Sequence, residues 1–452
     1  MQQERPPQHP KMEFDCDEEC QCAIVGAGPS GLAAAQALLD RGIEHFLVFE
    51  SGSGHLERDR VRDITEGVGG AGLFSDGKFS FYPSATGVWT EVDHLEQAYA
   101  WLSVQLGNSV CVPPFPATAP APTSTTVVVE PLACGKTDGT CEQREATEAL
   151  TRLWRLKQYP SDYMDLESRM EWIGGMSRRI GTDRLRICTR VTELRPIPDG
   201  GMLLSSVSTT TDRSATPQKP RTTRAKVVFV AGGRFSPVPP SLPSVFRRFE
   251  YGLRVEFSSC AEPFEAAAHV LDPKYILRRG LHEYRTFCCC RRGEVIVGRN
   301  GALCTCSGRS DGCSGERSNF GYNVRVPETE AVPIRRLMLA SEEEPFRVPV
   351  ADVAALESVD LSARYTAEGW RVLKEGLRAV WTDVARTVPT AELVGPCLEG
   401  VGWYVDTLAG TLEVPKHPNV RVLGDATGRF RGIVAALLSG YAGALSYCAT
   451  RP

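Results

Sequence analysis

Three glycines, Gly26, Gly28 and Gly31, stand as G-x-G-x-x-G in "CAIVGAGPSGLAAAQALLDRG". The apolar run before them reads as a buried strand, and the Ala/Leu run after them as a helix stopped by Gly42. A turn of this kind lets a pyrophosphate sit against main-chain N–H groups at a helix N-terminus, where the dipole favours negative charge. Pro29 and Ser30 open that helix. Glu50 ends the next apolar run, "HFLVFE", 19 residues beyond Gly31, where a carboxylate accepts ribose hydroxyls; Ser51 follows it. The glycine motif alone is a weak signal. Strand, turn, helix and acidic strand end together give dinucleotide binding.

Two later segments select the dinucleotide. "VRVLGDATGRFRGIVAAL" places Gly424 and Asp425 just past a strand end and a helix start at Gly432 and Ile433. An acidic residue there can hold a ribityl chain, and the helix N-terminus can face the flavin edge where negative charge gathers on reduction. "VVFVAGG", Val227 to Gly233, supplies a third strand whose end, Ala231, Gly232 and Gly233, can pass close to the cofactor. The expected cofactor is FAD, with NAD(P)H as a transient electron donor or acceptor.

Further chemistry is concentrated in two stretches. "GVGGAGLFSDGKFSF", Gly67 to Phe81, carries five glycines and one Asp–Lys pair. Bare backbone costs chain entropy, so it marks tight turns or a close approach to something bulky. Gly69, Gly70 and Gly72 would allow that approach, leaving Ser75, Asp76 and Lys78 nearest the flavin ring. A lysine beside N1 or N5 favours the anionic reduced flavin; the competing reading of Asp76 and Lys78 is a surface turn. "RTFCCCRRGEVIVGRNG" reads as a substrate-facing sheet in which Arg285 could take a carboxylate in a bidentate pair. The competing reading of Arg285 is a salt-bridged strand residue. Lys78 and Arg285 are the candidate catalytic residues. Cys288 and Cys290 are expected to alternate with Cys289 across the two faces of a strand, with no C-x-x-C available for redox work. None of the seven histidines falls in a motif.

The elements that must position these groups form an α/β protein. The expected fold is a discontinuous, Rossmann-like FAD-binding domain of glutathione-reductase type with an inserted domain of mixed β-sheet plus helix. At 452 residues the chain exceeds one compact core. The division expected is a disordered leader over 1–19, the FAD-binding domain in three parts (20–110, 151–245 with a β-meander, and 396–452), a Pro/Thr-rich linker over 111–150, and a substrate domain over 246–395. Within the second part, "GMLLSSVSTTTDRSATPQKPRTTRAKVVFVAGG" reads as a hairpin with a polar tip. A net charge of −4 offers no footprint for nucleic acid. No apolar run reaches the length of a membrane span, and the polar N-terminus has no secretory pattern, so the reading is cytoplasmic. Sixteen cysteines are many, but C-x-C pairs and a CCC run lack metal-finger spacing, so no metal is expected.

The motifs taken in order resemble those of the glutathione-reductase-like, two-dinucleotide-binding-fold flavoproteins, and more narrowly a family of uncharacterised FAD-dependent dehydrogenases. "AIVGAGPSGLAAA", "GGAGLFSDGKF", "GTDRLRICTRVTEL" (which includes Val191), "VFVAGGRFS", "RTFCCCRRGEVI", "GRNG" and "LGDATG...GIVAALLSGYAGA" carry the likeness. The resemblance implies that Val191 joins the cofactor contacts. It implies an FAD-dependent oxidoreductase, a dehydrogenase or oxidase exchanging a hydride between flavin N5 and a small or medium organic substrate. Two alternatives stand beside it: a flavin monooxygenase using NAD(P)H and dioxygen, whose usual His and Pro after "GDA" are missing here, and a non-catalytic binding protein on the same fold.

Overall fold

The computed structural model describes residues 16–116, 124–129, 152–198, 200–209, 219–236, 239–300, 303–310, 315–388 and 390–450. Most of the expected leader, most of the Pro/Thr-rich segment and the hairpin tip lie outside the described residues.

Unbroken apolar strands need cover on both faces, and the first sheet provides it. The strand Glu18–Val25 lies at its centre, parallel to Phe46–Phe49 on one side and to Arg221–Val230 on the other. His417–Val422 extends the sheet beyond Arg221–Val230, and Leu185–Arg186 beyond Phe46–Phe49, both parallel. Thr189–Pro196 and Met202–Ser208 form an antiparallel meander that joins Arg221–Val230. Alternation sorts the side chains between the two faces. Ile24, Val48 and Phe229 pack with the helices Pro29–Asp40, Leu95–Leu106, Leu166–Ile180 and Ile433–Ala449, while Ala23, Leu47 and Val228 pack with Leu194 and Leu204 of the meander. The final helix lies directly on the first one. A Cβ at Gly440 would come within 2.1 Å of the Ser30 carbonyl oxygen, so only glycine permits that crossing.

The second sheet has eight strands, all antiparallel, in the order Phe346–Val350, Ala391–Val405, Ser244–Ser258, Arg317–Val326, His282–Cys290, Lys274–Arg279, Arg152–Lys157 and Ser124–Val129. Tyr251, Leu253, Val255 and Phe257 point with Phe320, Tyr322 and Tyr284 into a core closed by the helices Glu328–Ala340 and Ala367–Asp383. Trp370, Leu373, Leu377, Val380 and Trp381 recur at helical spacing on the second helix and are buried there. The opposite face of the sheet is polar: Glu250, Arg254, Asn319 and Asn323 are buried on it, although none is apolar. The separate hairpin of Glu294–Asn300 and Leu303–Arg309 covers part of that face, with Gly308 against Arg254 and Thr305 accepting from Leu398 N–H.

This sheet begins earlier and ends later than the sequence suggests. Ser124–Val129 lies inside the segment read as linker, Arg152–Lys157 lies in the part read as FAD-binding, and Ala391–Val405 crosses the boundary placed at residue 395. The β-branched run "STTVVV" is masked in the sequence by the Pro/Ala/Thr tract in front of it, which breaks any period.

Candidate functional site

The fingerprint turn is built by contacts that exclude larger residues. Gly26 has φ of +103°, and a Cβ on it would meet the Ala231 carbonyl oxygen at 2.7 Å, so the end of Arg221–Val230 runs against the turn. Around the start of Pro29–Asp40 the structure gathers residues from two distant segments, the glycine-rich one and the C-terminal one. Built Cβ atoms show how close they are: Gly70 would reach Gly28 Cα at 2.9 Å, Gly72 would reach Pro29 Cγ at 2.7 Å and Ile433 Cγ1 at 3.7 Å, and Gly424 would reach Ser30 Oγ at 2.6 Å. Gly28, Pro29, Ser30, Gly70, Gly72, Gly424 and Ile433 therefore share one place. Gly31 serves the packing of helix on strand, since its Cβ would fall 1.9 Å from the Gly26 carbonyl oxygen.

Glu50 is buried behind this turn. Its Oε2 accepts the Ala27 N–H at 2.8 Å, and its Oε1 accepts those of Gly52 and Gly67, each at 2.9 Å. The carboxylate thus fastens the fingerprint to the glycine-rich segment, and Oε2, with one donor, keeps a lone pair for a hydroxyl. The meander is tied to the same point: Thr189 N–H donates to the Glu50 carbonyl, and Thr209 Oγ1 to that of Ser51. Two residues past Thr189, the Val191 side chain packs on the core beneath the meander.

The glycine-rich segment needs its glycines because the chain turns left-handed there repeatedly, at Gly67, Gly69, Gly70 and Gly77. Two buried arginines that sequence reasoning missed brace it. Arg58 donates to the carbonyls of Asp63, Ile64 and Val68 and lies over the Phe74 ring at 4.8 Å. Burial draws its guanidinium down to about 10. Arg169 donates to the carbonyls of Leu73 and Met164 at 3.1 and 2.9 Å. Neither arginine sits in a motif, and their acceptors are main-chain atoms without a side-chain signature.

Beyond Gly72 the segment departs from expectation. Ser75 Oγ donates to the Gly72 carbonyl and closes the local turn. Lys78 is buried, not on a surface turn. Its Nζ donates to the Cys289 carbonyl at 2.5 Å and pairs with Asp76 at 3.2 Å and Asp272 at 3.6 Å. Burial alone would discharge it, but Asp272 and Asp76 hold the ammonium well above lysine's ordinary value. Lys78 thus ties the glycine-rich segment to Cys289 of the second sheet, its charge balanced by two of the protein's own carboxylates.

Arg285 is likewise engaged. Its Nη1 donates to Glu250 at 3.0 Å, and its Nε lies 2.8 Å from Glu283. The fork expected to receive a substrate carboxylate here faces two of the protein's own.

The C-terminal segment returns to the fingerprint. Asp425 accepts from Arg248 at 3.1 Å, and burial pushes its carboxyl up against the opposing pull of Arg248 and Arg234. Gly432, with φ of +102°, starts Ile433–Ala449, and a Cβ there would meet nothing within 4 Å. Gly233, also left-handed, is similarly open.

Side-chain caps close some of the helix starts and not others. Leu166–Ile180 is capped by the Asp165 side chain and Ala367–Asp383 by Thr366. Pro29–Asp40 and Ile433–Ala449 both start after a glycine, with no capping side chain and no acid in the first turn. Their first amides point to no protein acceptor side chain, which suits the oxygens of an anionic ligand. These residues fit FAD: a diphosphate at one helix start, a ribose at Glu50, and the electron-rich ring edge at the other.

The polar face of the second sheet forms the facing wall. Glu250 pairs with Arg248, Arg285 and Arg325, and Glu399 with Arg234 and Arg431. Burial would raise the Glu250 carboxyl, but the arginines hold it well below the usual carboxylate range. At one end of the wall Lys157 lies directly opposite Lys274 across paired strands, a like-charge arrangement that a sheet ordinarily avoids. Burial, then the neighbouring cations, draws Lys157 down to about 8. Burial does the same to Lys274, also to about 8, although Asp272 opposes it. Among the described residues one group of three metal-type donors occurs, Asp76, Cys288 and Cys290, within 4.8 Å of one another. The Lys78 ammonium stands 3.2 Å from that Asp76 carboxylate and supplies the positive charge there.

Residues 19–57 match a family described as FAD binding domain. The chain therefore carries an FAD-binding domain, and its cofactor is FAD. The match covers the fingerprint and Glu50; it identifies an FAD-binding flavoprotein and not the glutathione-reductase-like dehydrogenases in particular. No curated protein matches. Among solved structures, aklavinone-11 hydroxylase in a ternary complex with FAD and aklavinone is 12% identical, with a TM-score of 0.42, over 95% of this chain and 62% of that one. The flavin-dependent monooxygenase PieE with FAD and substrate is 14% identical, TM-score 0.38, over 94% and 56%. RebC-10x, native and K252c-bound, is 14% identical, TM-score 0.37, over 91% and 58%. This chain spans about six tenths of the length of each. No described helix is long and apolar enough to cross a membrane.

Proposed function

We propose that the protein is an FAD-dependent oxidoreductase that acts as a monooxygenase on a small anionic substrate, with NAD(P)H as a transiently bound electron donor. The observation that carries the reading is the pairing of two uncapped, glycine-started helix N-termini with a wall that sets Lys157 opposite Lys274. When bound, the flavin supplies the redox chemistry. Gly28, Pro29, Ser30 and Gly31 would hold its diphosphate, Glu50 its ribose, and Gly432 and Ile433 its pyrimidine edge. Asp425, Gly70, Gly72, Ala231, Gly232 and Gly424 would line the path between.

Hydride removal from an alcohol or amine needs a base for the accompanying proton. Asp425, Glu250, Glu283, Glu399, Asp76 and Asp272 are each ion-paired, and no described histidine joins them. The cations Lys157 and Lys274 instead suit an electron-rich phenolate or carboxylate, the kind of substrate that oxygen insertion favours.

The test uses FAD-reconstituted protein and a panel of hydroxybenzoates. NAD(P)H consumption that rises with one of them, with oxygen-18 from labelled dioxygen entering the product, is the expected result. A compound that bleaches the flavin anaerobically without NAD(P)H would restore the dehydrogenase reading.

A further inference from the structure

The strand His282–Cys290 breaks its register near its end, while Cys289 still points into the core and Cys288 and Cys290 lie on the other side. Its pairing with Arg317–Val326 is regular to Phe287 and slips before Cys290, and Cys288 adopts φ of +46°, an uncommon conformation for a residue with a side chain. The slip sets both Cys288 and Cys290 on the polar face of the sheet, and their sulfurs lie 3.5 Å apart. The bulge is pinned by other groups. Arg254 donates to the Cys288 carbonyl at 2.7 Å, Lys78 to the Cys289 carbonyl, and Cys289 N–H donates to Asp272 at 3.0 Å. Cys288 Sγ also lies 3.3 Å from Asp76, in the glycine-rich segment. Cys288 is half-buried and Cys290 buried.

We propose that Cys288 and Cys290 are a redox pair that closes reversibly to an intramolecular disulfide, with hydrogen peroxide as oxidant. The sulfurs need to approach by only about 1.5 Å to reach a bonded separation of about 2.05 Å. The surroundings favour one thiolate in the pair: the hydrogen bond from Cys288 draws the Cys290 thiol down against its burial, helped by Lys78 and Arg254. Two cations around the pair favour thiolate over a bound metal ion.

The Cys288 proton first passes to the Cys290 thiolate, and the half-exposed Cys288 thiolate so formed attacks one peroxide oxygen; the O–O bond breaks and hydroxide leaves. Cys290 then displaces the hydroxyl from the Cys288 sulfenic acid; the S–O bond breaks, the S–S bond forms, and water departs with the Cys290 proton. Two electrons pass from the thiols to the peroxide. A dithiol reductant reverses the change by exchange.

The holoenzyme tests this directly, since the tryptic peptide Thr286–Arg291 contains all three cysteines. After stoichiometric peroxide and iodoacetamide, the peptide should carry one label in place of three and weigh two hydrogens less before labelling, with dithiothreitol restoring all three. Cys289→Ser should still lose both of its remaining labels on oxidation, and Cys288→Ser should not. Three labels after peroxide in the unsubstituted protein would overturn the proposal. So would an unchanged disulfide in Cys288→Ser, which would put the bridge between adjacent cysteines.

Discussion

Replacing Lys78 with methionine keeps the buried stem and removes the ammonium. Two carboxylates then lose their cation: Asp76, 15% exposed at the side chain, and Asp272, 11% exposed. The Cys289 carbonyl loses a donor as well. Asp272 would retain Cys289 N–H and the Tyr159 hydroxyl, and Asp76 the Cys288 thiol, so neither is stripped completely. Removing one partner from a buried pair costs about 3–5 kcal/mol. An unfolding entropy of about 2.1 cal/mol/K per residue gives roughly 1 kcal/mol/K over the whole chain, so the melting temperature should fall by about 3–5 °C if the two sheets unfold together. The assay is a thermal melt of the FAD-loaded protein, run beside Lys78→Met/Asp272→Asn. The double variant should recover part of the loss, because an amide needs no counter-charge. The bound flavin should keep its absorption spectrum and its affinity. A shift in flavin spectrum or reduction potential with an unchanged melting temperature would refute the argument and return Lys78 to the cofactor.

Gly28→Ala should remain folded, because its Cβ would meet only Gly70 Cα at 3.8 Å, yet lose FAD affinity at least about tenfold, read by equilibrium dialysis of the flavin. Gly31→Ala, with its Cβ 1.9 Å from a carbonyl oxygen, should not accumulate as soluble protein. Lys157 and Lys274 titrate at about 8 when folded, against an ordinary 10.5, so the unfolded chain holds more protons between those values and stability from this pair rises with pH across that window. Attraction for an anionic substrate fades over the same window, so KM should climb above about pH 8 while Lys274→Met raises KM at pH 7 and flattens the profile. Glu250 and Asp272 have lowered folded values, so their contribution is complete above the ordinary carboxylate range of about 4 and is lost as pH falls through the folded values, seen as declining resistance to urea.

The sequence states the cofactor's side of the site more openly than the substrate's side. Gly26, Gly28, Gly31 and Glu50 are local: strand, turn, helix and acid occur within thirty positions, and each type has one physical reason to be there. The convergence of Gly70, Gly72, Gly424 and Ile433 on that turn also follows from their glycine context. Arg58 and Arg169 show the opposite case. Each is held by carbonyl oxygens, which every residue possesses, so no pairing pattern reveals them. Arg285 was legible as a strand residue, but its partners Glu250 and Glu283 depend on a strand order that no single segment encodes. The bulge at Cys288 needs a left-handed cysteine, for which the sequence offers no glycine or asparagine as warning.

The central position of Glu18–Val25 has a consequence in time. Its neighbour in the sheet, Arg221–Val230, lies 205 positions later by the pairing of Glu18 with Thr223. At a synthesis rate of about 5–20 residues per second, the first strand emerges some 10–40 seconds before that partner exists. During the interval "CQCAIV" is an apolar edge with one short neighbour, Phe46–Phe49, beside it. The nascent chain therefore passes through a stage when the central strand of its first sheet is an exposed adhesive surface, and binding by a chaperone at that stage would guard the cofactor domain before any cofactor could.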